Sequence, residues 1–562
     1  MRREVSVVNK KVCSFPILFA LLALLIGTCA VVFPASAQAA PTSTGSITVS
    51  GTVASSYDAY QIFSANVVDG DSDAKIATDL AWASDAVRDA ALPVLHSAGM
   101  PNSQTTAQEA AEWLNTDSHL TSALSAQLAR SLQSSGAVSV PLNAGTATEL
   151  PCGYWLIVAD DDAIAQGEAG TAPIMTLVGG SAVTVKPKAA TPKVSKHVLE
   201  DGTAAWQKAA DATVADDLYW RLSATVPAGL TAYDTYTVQF VDTMSAGLDP
   251  SKVAASMRVY VAAGADGGFD AVSTGKDGRA GTELAKGWTD ITAQCATKVA
   301  ADGTFTVRTG DLIAALGGAD AFTAGARVVA VYNAPLNSAC NHGIAKGNPN
   351  EVYLRYPRSP FADQSGDAGF TRTPSDDACA YTWDLALTKR GSDGDKPLAG
   401  AVLSIADDRG RTLAADGTWD AEGKATVTTG EDGRVTVSGV DSGKLEVREL
   451  KAPKGYTAFE GTRSVTVKAE GLDVKQVAAA KPKLTVTAES PLRADSADGS
   501  TGSLEASLIN TPAGTPPSIF TGGFMPSTGD MAMYAAAAAA VAGAALIVVA
   551  LLVKRGGGSH KE

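Results

Sequence analysis

Between residues 44 and 514 the chain is built from short runs in which apolar and polar side chains alternate, each closed by Gly, Pro, Asn or Asp. "GSITVSGTV", "APIMTLVGG", "SAVTVKP", "LYWRLSATVP", "YTVQFVD", "VYLRYP", "GRVTVSGV" and "KLEVREL" read as such runs, and "YWLIVA" as a continuously apolar one. A period of two puts alternate side chains on opposite faces of a strand, so each run can bury one face against a second sheet. The 54 Gly and 25 Pro supply the turns between them. The expected fold is therefore all-β, a tandem series of immunoglobulin-like sandwiches. Helical periodicity is confined to Ser84–His96 and Thr105–Ser135, so the first sandwich is expected to carry inserted helices. Two Pro-rich seams, "KPKAATPK" and "FTRTPSDDACAY", divide the series into units at 44–188, 190–374 and 378–514. A Pro- and Gly-rich stalk opens the segment 515–562.

Strand parity also places charged groups where apolar ones belong. In "YTVQFVD", Asp242 shares the face of Tyr236, Val238 and Phe240; in "PKVSKHV", Lys196 shares that of Val194 and Val198. Asn350 leads Val352, Leu354 and Tyr356. The pattern recurs further on. Lys389 is in line with Trp383, Leu385 and Leu387, Glu449 with Leu445 and Val447, and Asn510 with Leu504, Ala506 and Leu508. Each of two domains thus aims a lysine, a carboxyl and an asparagine at its own core.

Burying a lone charge is costly, so such groups pair or neutralise. One reading is a buried ion pair with an asparagine hydrogen bond. The other is chemical. A desolvated lysine loses its proton and becomes a nucleophile, while a desolvated Asp or Glu gains one and can polarise the asparagine carboxamide. Attack on that carbon expels ammonia and leaves a Lys–Asn isopeptide bond, formed once per domain without turnover.

The ends indicate export. Arg2, Arg3, Lys10 and Lys11 precede the apolar "CSFPILFALLALLIGTCAVVF" and the small-residue stretch "ASAQAAP", a secretory signal over residues 1–39. Met531–Val553 is an uncharged membrane-length run followed by Lys554 and Arg555. By itself it would be a plain anchor. Directly before it stands Met525-Pro526-Ser527-Thr528-Gly529. Pro-x-Thr-Gly, apolar span and basic tail together resemble the sorting signal cleaved by sortases of Gram-positive bacteria, with Met525 in the usual place of Leu. The resemblance implies cleavage between Thr528 and Gly529 and only transient membrane anchoring. Four cysteines remain after export: Cys152, Cys295, Cys340 and Cys379. They allow three connectivities, and the pair Cys295–Cys340, within one domain, is expected.

"LTKRGSDGDKPLAGAVLSI", "GEDGRVTVSGVDSGKLEVRELKAPKGY" and "SLINTP" resemble the collagen-adhesin B-type domain of sortase-assembled (SpaA-type) backbone pilins. Glu449, Ala452, Pro453, Gly455 and Tyr456 fit the family's glutamate motif; Leu445, Val447 and Leu450 depart from it. "PKVSKHV", "VDTMSAGL" and "GNPNEVYLRYP" are similar to the pilin middle domain. The resemblance implies Lys389–Asn510 and Lys196–Asn350 bonds, with Glu449 and Asp242 as the catalytic acids. "VTVKPK" resembles the pilin acceptor motif, with Lys188 as the intersubunit acceptor and Lys186 and Lys193 as neighbouring alternatives. The implied partners are a sortase, identical subunits and other pilins, peptidoglycan and a host surface ligand. The leading expectation is a structural shaft subunit on the cell wall; the alternative is an ancillary or basal pilin, or a singly anchored adhesin. Neither His-Glu-x-x-His nor Gly-x-Ser-x-Gly occurs, and with only 5 His no enzyme, metal or cofactor is expected. The net charge of −14 argues against nucleic acid.

Overall fold

The computed structural model describes residues 43–514 apart from 71–73, 117, 188–189, 276–279 and 323. The signal region, the motif Met525–Gly529 with its apolar span, and Lys188 lie outside the described residues. The described chain is strand-rich, a tandem series of immunoglobulin-like and prealbumin-like sheets.

In the N-terminal unit the long strand Ser56–Asp69 pairs with Lys75–Trp82, Val140–Asn143 and Gly153–Ala159. Its two faces serve different layers. Tyr57 and Ala59 pack with Trp155 of the same sheet and with Ile47 and Val185 of the facing strands. Tyr60, Ile62 and Phe63 pack under the helices Asp85–Ser97, Ala107–Asn115 and Ser122–Ser135. Each helix starts on a hydroxyl cap: Ser84, Thr106 in a capping box with Glu109, and Thr121. Ser122–Ser135 stops at Gly136, whose φ of 71° suits a residue without a Cβ.

The middle unit is a sandwich. One sheet orders its strands Ala205–Gln207, Lys193–Glu200, Tyr219–Val226, Ala326–Asn333, Arg258–Ala263 and Trp288–Asp290. The facing sheet runs Ala209–Asp211, Asp376–Tyr381, Asn348–Pro357, Gln239–Met244, Thr304–Arg308 and Ala296–Val299. In the third unit, Trp383–Gly391 and Ser503–Pro512 run parallel at the centre of one sheet, and Gly443–Lys451 lies between Val402–Ala406 and Thr462–Glu470 in the other.

The stretch read as the second seam folds instead. Phe370–Arg372 and Asp376–Tyr381 are both strands of the middle sheet. Along the latter, Ala378 and Ala380 enter the middle core while Cys379 and Tyr381 enter the third. One strand's alternation joins the two cores, and the third unit's own sheet begins at Trp383.

The expected Cys295–Cys340 disulfide is not formed; Cys152, Cys295, Cys340 and Cys379 are all free. Cys295 precedes the edge strand Ala296–Val299, in a row that runs across the sheet through Arg308, Gln239 and Arg355. Cys340 belongs to a loop tied at the opposite end, where Asn341 N donates to Asn348 Oδ1 at 2.8 Å. Three strand spacings of about 4.8 Å and several residues of about 3.3 Å separate these positions, far beyond the roughly 7 Å between Cα atoms that a disulfide tolerates.

Candidate functional site

In the middle unit, Lys196 and Tyr332 stand on two strands of one sheet that flank Tyr219–Val226, where Leu222 is opposite both Lys196 and Ala330. Asp242 and Asn350 come from the facing sheet. There Met244 is opposite Asn350 and Asp242 is opposite Val352, so the two side chains are diagonal neighbours on the inner face. All four are fully buried. Lys196 Nζ donates to Asp242 Oδ2 and, at 2.9 Å, to the Tyr332 hydroxyl. That hydroxyl donates to Asp242 Oδ2 at 3.1 Å and accepts from Asn350 Nδ2 at 2.9 Å. Trp220, 5.6 Å from Nζ, and Phe305, edge-on to Tyr332, close the surroundings with apolar rings.

In the third unit, Lys389 and Asn510 come from the two parallel central strands, paired Lys389 with Leu508 and Gly391 with Asn510. Glu449 reaches across from the facing sheet. Lys389 Nζ donates to Asn510 Oδ1 and lies 3.0 Å from Glu449 Oε1. Asn510 Nδ2 donates to both oxygens of Glu449, at 2.9 and 3.1 Å. The backbone N–H of Phe459 holds Oε2 at 3.1 Å, and its ring centre is 5.8 Å from Nζ.

Burial drives both lysines down to about 8, against the opposing pull of Asp242 on Lys196 and of Glu449 on Lys389. The same burial raises the Asp242 carboxyl, outweighing Lys196 and the two hydrogen bonds. In the middle unit Lys196 and Asp242 are thus drawn toward their neutral forms, an amine and a carboxylic acid, which is the pair that amide exchange requires. Asp242 Oδ1 and Asn350 Oδ1 are buried without a hydrogen-bond partner. Two other buried lysines differ in kind. Lys75 Nζ is held by Asp69 and the carbonyls of Gly179 and Ser181, and Lys208 Nζ by Asp376 and the carbonyls of Lys196 and Asp377.

All six residues singled out by parity therefore lie in the cores, in two groups of three. Tyr332 and Phe459 escaped the sequence reading. "RVVAVYN" does put Tyr332 on the inner face with Val328 and Ala330, but a phenol there looks like any core aromatic. Phe459 contributes through its backbone, which strand parity does not report.

The family described as SpaA, prealbumin-like fold domain, matches residues 384–481. These residues are a SpaA-type prealbumin-like domain. Lys389 and Glu449 fall inside it, and Asn510 lies beyond the matched stretch. Over 143 residues, 24% of the chain, the sequence is 30% identical to the trypsin-resistant surface T6 protein of Streptococcus pyogenes serotype M6, and the match spans 24% of that protein's length. Among solved structures, the T6 backbone pilin of that serotype is similar at 17% identity, covering 84% of this chain and 98% of the other with a TM-score of 0.45. The major pilin SpaD of Corynebacterium diphtheriae is similar at 15% identity, 84% and 97% coverage and a TM-score of 0.39.

Proposed function

We propose that the chain is a pilus shaft subunit whose middle and third domains each lock themselves with one Lys–Asn isopeptide bond. The observation that carries this reading is the duplication: two separate sandwich cores each gather a buried lysine, acid and asparagine. A buried ion pair alone needs no carboxamide, and such pairs are weak stabilisers against well-packed apolar residues. In each core the lysine amine attacks Cγ of the asparagine. The Nζ–Cγ bond forms, the Cγ–Nδ2 bond breaks, one proton passes from Nζ to Nδ2 with the acid's help, and ammonia leaves. Lys196 is joined to Asn350 with Asp242 as the acid, and Lys389 to Asn510 with Glu449.

In this reading the subunit is exported, held at the membrane by Met531–Val553 and cut by a sortase between Thr528 and Gly529. The acyl group of Thr528 passes to the Lys188 amine of the next subunit, and the finished fibre is joined to peptidoglycan. The partial match to the T6 surface protein supports a place on the cell surface. A second reading, an ancillary subunit or adhesin binding a host ligand, is favoured by the helical layer of the N-terminal unit, a separate core that a spacer does not need. A denaturing gel of cell-wall extract tests the first against the second. A high-mass ladder that Lys188→Arg abolishes, with monomer still reaching the wall, is expected. A single band in wild type would overturn the shaft reading, and a ladder lost only in Lys186→Arg or Lys193→Arg would move the acceptor.

A further inference from the structure

The two sites differ in how the acid meets the amide nitrogen that must leave. Glu449 contacts Asn510 Nδ2 directly with both oxygens. In the middle unit the corresponding contact is made by the Tyr332 hydroxyl: it holds Asn350 Nδ2 at 2.9 Å and Asp242 Oδ2 at 3.1 Å. Aspartate is shorter than glutamate by one methylene, and the phenol fills that interval. We infer that Tyr332 is a second catalytic residue of the middle domain, a relay that carries the proton from Asp242 to the departing nitrogen of Asn350.

The inference rests on the crosslinking reading above. The steps balance without any further reagent. As Lys196 Nζ bonds to Cγ of Asn350, Asp242, as the neutral acid, gives its proton to the Tyr332 oxygen while the phenol's own proton passes to Nδ2. The carboxylate so formed takes the surplus proton of Nζ, which Asp242 Oδ2 already touches. The Cγ–Nδ2 bond breaks, ammonia departs, and tyrosine and aspartic acid end as they began. The hydroxyl touches both ends of the relay: at rest it donates to Asp242 and accepts from Lys196 and Asn350. For the transfer its proton turns to Nδ2, whose lone pair is freed as Cγ becomes tetrahedral, while the Asp242 acid donates to the phenol oxygen in its place. Burial and the adjacent Asp242 also hold the phenol well above its ordinary value, so it passes a proton without resting as a phenolate. The ring is fixed by Phe305 at 4.8 Å between centres, so the oxygen is held in place.

The test follows both links by peptide mapping at successive times after cell-free synthesis of the full exported chain. Tyr332→Phe keeps the ring and removes only the oxygen. In that variant the Lys196–Asn350 link is expected to form about 100-fold more slowly, within the range of a lost proton-transfer group, while Lys389–Asn510 forms at its usual rate. Adding Asp242→Glu should recover much of the loss, because the longer acid can reach Nδ2 as Glu449 does. The middle link at the wild-type rate in Tyr332→Phe overturns the relay. A double variant no faster than Tyr332→Phe overturns it too, since the hydroxyl would then do something acid reach cannot replace. A wild-type chain that never forms the middle link overturns the crosslinking reading instead.

Discussion

The middle and third domains gather the same three functional groups from different strand arrangements. In the third, lysine and asparagine are neighbours on parallel strands and a glutamate crosses from the opposite sheet. In the middle, lysine stands on one sheet, with aspartate and asparagine together on the other. The third domain lets one long acid touch both the lysine and the asparagine. The middle uses a short acid with a tyrosine beside it. What the two share is burial, which depresses both lysines to about 8. The two domains reach that burial by different backbone routes, and they differ too in the reach from acid to amide: direct from Glu449 to Asn510, through Tyr332 from Asp242 to Asn350.

The largest expected effect is Glu449→Ala. The third domain should remain unlinked while Lys196–Asn350 forms normally. Calorimetry should then show the third domain alone unfolding earlier. Lys389 and Asn510 are 121 residues apart; by analogy with a disulfide closing a loop of that order, the lost link is worth about 4–5 kcal/mol. A Lys389–Asn510 crosslinked peptide from this variant would remove Glu449 from its role.

Next is Glu449→Asp, which gives the third site the middle site's acid without its phenol. Its link should form about 100-fold more slowly, as timed by mapping against the middle link in the same chain. An unchanged rate would mean that acid length does not separate the two sites.

The pH dependence should be common to both. The nucleophile is the unprotonated amine, so below about 8 each unit of acidification should reduce the rate of link formation about tenfold, levelling off above. A site whose rate is flat between pH 6 and pH 8 would not be governed by its lysine. The smallest effect concerns the thiols. With Cys152, Cys295, Cys340 and Cys379 free, adding a reductant should leave thermal unfolding of either domain unchanged. A clear loss of stability would restore a disulfide.

Much of this was legible in the sequence because a two-residue period reports which face a side chain occupies. Lys196, Asp242, Asn350, Lys389, Glu449 and Asn510 all follow that rule and are all buried. The period does not report what stands opposite. Tyr332 becomes part of the site through its height above the facing sheet, and Phe459 through its N–H, neither of which alternation encodes. The cysteines failed for a related reason. Sharing a domain says nothing of position across a sheet, and Cys295 and Cys340 lie at opposite ends of it. The Asp376–Tyr381 strand is hidden in the sequence because the flanking Thr-Pro-Ser has a linker's composition, while both of the strand's faces are claimed by cores.

The most direct test of the account is the intact mass of the recombinant exported region, measured denatured and reduced. Two isopeptide bonds predict a mass two ammonia equivalents below that of the sequence, with Lys196–Asn350 and Lys389–Asn510 recovered as branched peptides on digestion. A full sequence mass would contradict the account and leave both sites as buried ion pairs.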